Sequence, residues 1–136
     1  MASRYLLDTH AWFWLLTGEA RIPPPTVASL EAALGEGRVF LSQISTWEIA
    51  HKVSIGKIEL ARPVDLWLRE NTEGIVMLDL PLEVVVESTR LPGTFHKDPA
   101  DRFIVATARV HDLVLVTRDK LILDYATAGH VKVAPI

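Results

Sequence analysis

An α/β fold built on a parallel sheet is the class this sequence predicts, and two observations predict it. Short, continuously apolar runs at residues 4–8, 39–41, 75–78 and 113–116 have the character of strands buried on both faces. Longer stretches with helical periodicity lie between them, and strands alternating with helices pack as a parallel sheet. In open sheets of that kind ligands sit beyond the carboxyl ends of the strands, so those ends are where chemistry is sought.

In chain order, the run 4–8 stops at Asp8. A helix over 26–34 follows Pro23, Pro24 and Pro25, because proline is tolerated only in a helix's first turn. After the strand at 39–41, a helix opens near Ser45, which has Glu48 three residues on, the spacing of a capping box. Shorter helices are expected at 64–71 and 82–88, on either side of the strand at 75–78. Pro92 and Gly93 mark a loop. The strongest helix is 100–111, where Phe103, Ile104, Ala106, Thr107 and Val110 form an apolar stripe at spacings of three and four. The strand at 113–116 follows, with a weaker candidate at 131–133.

With 136 residues, 49% of them hydrophobic and 23% charged, the chain is expected to form one domain over 1–136 with a real core. It has no cysteine, which removes disulfides, thiolate nucleophiles and cysteine metal sites and fits a reducing compartment. No run approaches the roughly 18 apolar residues that span a bilayer, and 5–7 is too short for a signal-peptide core, so a soluble cytoplasmic protein with no membrane partner is expected. Neither GxxxxGK[ST] nor GxGxxG occurs, which argues against a P-loop or dinucleotide site, and there is no GxSxG elbow for acyl transfer. The formal charge of −3 speaks against nucleic-acid binding through a broad basic face.

Four carboxylates fall on strand ends or in helix N-terminal turns under this reading: Asp8, Glu48, Asp101 and Asp119. Such a set suits a divalent cation. Magnesium and manganese prefer hard oxygen ligands, and magnesium takes few carboxylates while keeping several waters. Each acid also has a structural reading. Glu48 would complete a capping box with Ser45, Asp98 would be an N-cap, Asp101 would favour a helix N-terminus by its charge, and Asp119 would be a turn residue. Asp8, delivered by an apolar strand to the edge of a core, is the hardest to dismiss. Setting the four aside leaves 13 acids against 14 bases, and 12 against 14 if Asp98 joins them. The negative sign is then concentrated in one pocket that a cation would partly neutralise.

Three blocks carry a resemblance over essentially the whole chain. They are residues 6–12, with Asp8 and Thr9; residues 45–49, with Trp47 and Glu48; and residues 96–108, with Asp98, Pro99, Asp101 and Arg102, followed by Thr117 and Asp119. In this ordered set the sequence resembles PIN-domain proteins, most closely the VapC-type toxins of toxin–antitoxin pairs. The resemblance implies a three-layer α/β/α sandwich around a four- to five-stranded parallel sheet, and a Mg2+- or Mn2+-dependent endoribonuclease. It implies a homodimer inhibited by a cognate antitoxin. By position it assigns Asp8 and Asp101 as the first metal ligands, Glu48 and Asp119 as further acids acting through water, and Asp98 as an additional acid. A catalytically inactive PIN-like module that binds RNA or a protein partner is the alternative.

Around these acids, Thr9 is read either as a phosphate contact or as a turn residue, and His10 as a structural group rather than a general base. Thr117 is a strand-end residue in the position of a Ser/Thr that PIN-domain proteins place near the metal. Arg102 and Arg118 are read as salt-bridge partners of the acids or as phosphate contacts. Trp12, Phe13 and Trp14 cannot all face one side of a helix, so part of this group is expected to stand exposed for a protein partner.

Overall fold

The computed structural model describes residues 2–18 and 21–136. The chain runs β1 (Tyr5–Leu7), α1 (Thr9–Thr17), α2 (Pro24–Gly35), β2 (Val39–Ser42), α3 (Gln43–Ser54), α4 (Val64–Asn71), β3 (Val76–Leu78), α5 (Leu82–Thr89), α6 (Pro99–His111), β4 (Val114–Thr117), α7 (Lys120–Thr127) and β5 (Val133–Pro135). All five strands are parallel, in the order β3-β2-β1-β4-β5.

Side chains alternate across each strand, so the sheet divides two cores and makes three layers. Leu6 of β1 and Leu115 of β4 point to one face, against Val84 of α5, Ile104 and Ala108 of α6 and Ile122 of α7. Their neighbours Leu7 and Val116 point to the other, with Leu41, against Trp12 of α1, Leu30 of α2 and Ile49 of α3. This is the expected α/β/α sandwich, with the fifth strand present.

Beyond shifts of one or two residues at helix ends, the elements differ from the sequence reading in three places. The apolar group at Trp12 belongs to a helix that starts directly after Asp8, with no turn between. A second helix, α7, follows Asp119, where only a turn was expected; Ile122 and Tyr125, three apart, are its buried positions. The last strand begins at Val133, not Val131, because its ladder with β4 starts at the Leu115–Val133 pair. Val131 still packs on the same core. Pro135 sits at the end of this edge strand, where a missing N–H is tolerated.

Helix α6 is central to the site and its ends are well specified. Asp98 caps it, Pro99 occupies the first turn, Arg109 and His111 lie in the last turn, and Asp112 closes it in the left-handed region at φ 53°. More of its surface is buried than the stripe predicted: Ala100, Val105 and Ala108 are covered as well.

Arg102 fixes the approach to this helix. Its Nε donates to Ser88 O at 2.8 Å, and Nη1 donates to both Phe95 O and His96 O at 3.1 Å. It holds the backbone rather than a carboxylate or a phosphate, which corrects both roles expected for it. Hydrogen bonds to a charged donor are worth about 1.5–3 kcal/mol each, so Arg102→Met is expected to cost about 2 kcal/mol or more. Arg102→Lys should not recover it, since an ammonium lacks the guanidinium fork. Urea unfolding is the measurement: the midpoint should fall at constant slope, and an unchanged midpoint would disprove the strap.

Candidate active site

The strand order places the site. β2 and β3 lie on one side of β1, and β4 and β5 on the other, so the direction of winding reverses between β1 and β4. The carboxyl ends of those two strands form the crevice where α/β sheets bind ligands.

Asp8 and Asp119 stand at this crevice. The register pairs Leu7 with Val116, which brings Thr117, the last residue of β4, beside Asp8. Asp8 is 5% exposed. Its Oδ1 accepts from Ala11 N at 2.7 Å as the N-cap of α1, and its Oδ2 accepts from Thr117 Oγ1 at 2.5 Å. The Thr117 hydroxyl in turn accepts from Asp119 N at 3.0 Å. Asp119 caps α7, with Oδ1 accepting from Ile122 N at 3.1 Å. One threonine hydroxyl therefore links two acids at adjacent strand ends, a tighter role than strand-end packing.

Glu48 arrives differently from the sequence expectation. Ser42, not Ser45, caps α3, accepting from Ile44 N at 3.2 Å. Ser45 is fully buried inside the helix, and Glu48 lies in its second turn. No capping box forms. Glu48 Oε1 instead accepts from Thr9 Oγ1 at 2.5 Å, and the same hydroxyl lies 2.8 Å from Ser45 Oγ. Thr9 is thus neither a turn residue nor a free phosphate contact; it is buried and orients Glu48 across the α1–α3 junction.

Asp98 and Asp101 come from the start of α6. Asp98 Oδ1 accepts from Asp101 N at 3.1 Å, the expected N-cap. Asp98 N donates to His96 Nδ1 at 3.4 Å, so the other ring nitrogen carries the proton. That nitrogen, Nε2, lies 3.1 Å from Asp101 Oδ2, though off the line of a hydrogen bond.

The five acids share one electrostatic field. Burial first, then Asp98, Asp119, Glu48 and Asp8, push the Asp101 carboxyl up to about 7. Burial also raises Asp8, against the lowering effect of the bonds from Thr117 and Ala11. Among the described residues no lysine or arginine forms an ion pair with any of the five. Arg118 is turned away, donating to Ile136 O and Arg21 O and lying 4.9 Å from the Trp14 ring centre. This corrects its expected place beside Asp119. His10 is exposed, with Nε2 3.4 Å from Lys52 Nζ.

Four oxygens of these acids have no protein donor among the described residues: Oδ2 of Asp98 and of Asp119, Oε2 of Glu48 and Oδ1 of Asp101. Uncompensated negative charge on hard oxygens is what a divalent cation relieves. As they stand, no three acid or imidazole groups among the described residues come close enough to hold one ion together.

The aromatic group after Asp8 is more buried than expected. Trp12 is 1% exposed and packs edge-on against Trp67, Phe13 and Trp14 are half-buried, and Leu16 is the exposed member. The exposed tryptophan is Trp47, next to Glu48 in sequence. A large apolar residue beside a site acid was the signal for it, and hydrophobic periodicity alone passes over it.

The PIN domain family matches residues 5–127, and the chain belongs to that family. Within it, the sequence is 33% identical over 115 residues to Ribonuclease VapC22 of Mycobacterium tuberculosis, covering 85% of this chain and 86% of that protein. The fold is similar to the crystal structure of VapBC2 from Rickettsia felis bound to a promoter DNA fragment, with TM-score 0.73 and 15% identity over 97% of this chain and 98% of that one. It is also similar to FitAcB from Neisseria gonorrhoeae, with TM-score 0.65 and 23% identity over 95% of each chain. PIN-domain VapC ribonucleases are in general divalent-metal dependent.

Proposed function

We propose that this chain is a divalent-metal-dependent endoribonuclease and the toxin of a toxin–antitoxin pair. The observation that carries the reading is the unneutralised acidic crevice at the β1–β4 switch point, in a chain 33% identical to a protein named a ribonuclease. Asp8 and Asp101 would hold Mg2+ or Mn2+, with Glu48 and Asp119 acting through water and Asp98 adding charge. When bound, the ion supplies activation of water and neutralisation of charge on the phosphoryl oxygens. The chain's own residues do the rest. Thr117 and Thr9 hold Asp8 and Glu48 in fixed orientations, and the N-termini of α1, α6 and α7, each capped by a site acid, bring their dipoles to the same rim. Hydrolysis forms a bond from the water oxygen to phosphorus and breaks the one to the leaving ribose oxygen, to which a proton passes.

Strands from both ends of the chain lie in one sheet, which supports a single nuclease domain over 1–136. An antitoxin partner is supported by the toxin–antitoxin complexes among the structural neighbours. Exposed Leu16 and Leu34, on α1 and α2, support a covered apolar face and with it a homodimer. Among the described residues no helix is long and apolar enough to cross a membrane.

One observation favours the second reading, a catalytically silent PIN-like binding module: the acids are not gathered into a three-ligand cage. Chelation separates the two. Purified protein free of any partner is expected to cleave single-stranded RNA, to lose that activity completely in excess EDTA, and to regain it with Mg2+ or Mn2+. Cleavage that persists in EDTA would overturn the metal assignment, and no cleavage under any condition would favour the binding module.

A further inference from the structure

A groove of about 480 Å³ opens beside the acidic crevice, between α3 and the start of α6. Glu48 and Asp98 form part of its wall, so it is continuous with the site. Trp47, His51 and Lys52 line the rest of its α3 side. Trp47 is 55% exposed, and its indole lies parallel to the His51 imidazole, four residues on, with centroids 4.9 Å apart and an interplanar angle of 5°. The stack backs one face of the indole, and the ring is still more than half open to solvent. Lys52 adds a cation, placed 3.4 Å from His10, so the groove combines a flat aromatic surface with positive charge next to a negatively charged crevice.

We propose that Trp47, backed by His51, is the platform on which one nucleobase of the RNA stacks, with Lys52 taking an adjacent backbone phosphate. The inference rests on the ribonuclease reading: Glu48 and Asp98 belong both to the acidic site and to the wall of this groove, so the groove offers a path for the strand next to the phosphate being cleaved. An aromatic face beside a cation is the general solution for single-stranded nucleic acid, since every base has a π-face and every linkage a charge. The volume falls in the range of a small-ligand pocket and suits one base with its sugar. The subsite gives the protein an RNA contact that does not need a broad basic surface, consistent with its net charge of −3.

The test uses a fluorescein-labelled single-stranded RNA of about 12 nucleotides and random sequence. Base stacking on an aromatic residue is worth enough that Trp47→Ala should raise KM on the order of 10-fold, with a smaller effect on kcat. Trp47→Phe should restore most of the loss. In the Asp101→Asn background without added metal, Trp47→Ala should weaken binding of the same RNA by a similar factor, read by anisotropy. An unchanged KM and unchanged binding in Trp47→Ala, with circular dichroism like the parent, would remove the platform and assign this face to a protein partner. Cleavage abolished by Asp101→Asn alongside that result would leave the ribonuclease reading standing. Trp47-dependent binding by a protein that never cleaves would keep the platform and overturn the ribonuclease reading.

Discussion

Asp8→Asn is expected to lower RNA cleavage by on the order of 100-fold or more while changing the protein's stability little. Even outer-shell partners of a metal cost 10–100-fold when changed, and Asp8 is assigned as a ligand. The stability half follows from its surroundings. Asparagine is as good an N-cap as aspartate, so its carbonyl can still accept from Ala11 N. Its amide would then donate to Thr117 Oγ1, a hydroxyl with a second lone pair to offer besides the one taken by Asp119 N, while the buried Thr117 proton that Asp8 Oδ2 accepts loses its partner, at a cost of about 1–3 kcal/mol. Burial raises the Asp8 carboxyl because ionising it there is costly, and a neutral amide removes that cost. Cleavage of single-stranded RNA in Mn2+ and the thermal midpoint are the two measurements. A variant of full activity with an unaltered metal requirement would remove Asp8 from the site. A loss of activity that merely tracks unfolding would reduce it to a cap.

The opposed effects explain why the acid positions were legible in the sequence and their supports were not. Asp8, Asp98 and Asp119 each follow a strand or precede an apolar-periodic segment, and a local pattern suffices to place them. The Ser45–Glu48 spacing satisfied a local rule equally well and misled. Ser42 takes the cap because β2 runs to it without a loop, and Ser45 is then turned inward against Thr9 of α1. That contact joins residues 36 apart in sequence, which no local pattern encodes. Arg102 and Arg118 were misplaced for a related reason. Their acceptors are backbone carbonyls brought near by the fold, and a carbonyl leaves no mark in the sequence. Helix α7 was within reach: a capping aspartate followed by Ile122 and Tyr125 carries the signal, in a segment short enough to pass as a turn.

The second large effect is a dependence of stability on pH that metal reverses. In the folded protein without metal, Asp101 keeps its proton up to about pH 7, against 3.8 ordinarily. Between those values the folded state binds more protons than the unfolded one, so the free energy of unfolding falls as pH rises. The contribution is complete below about pH 4 and gone above about pH 7. Asp101→Asn holds the neutral form at every pH. Its thermal midpoint should therefore match the parent near pH 4 and exceed it by about 5 °C or more at pH 8, given a few degrees per kcal/mol for a chain of this size. Divalent cation acts in the opposite sense, since it binds the ionised carboxylates of the folded protein. Mn2+ should raise the parent's midpoint at pH 8, do little at pH 5, and do little to Asp101→Asn at either. Parallel pH profiles for the two proteins would show that burial and the neighbouring carboxylates do not raise Asp101 in the folded protein. A cation effect in the parent that is equal at pH 5 and pH 8 would place the binding ion away from Asp101, where occupancy has to compete with a proton held up to about pH 7.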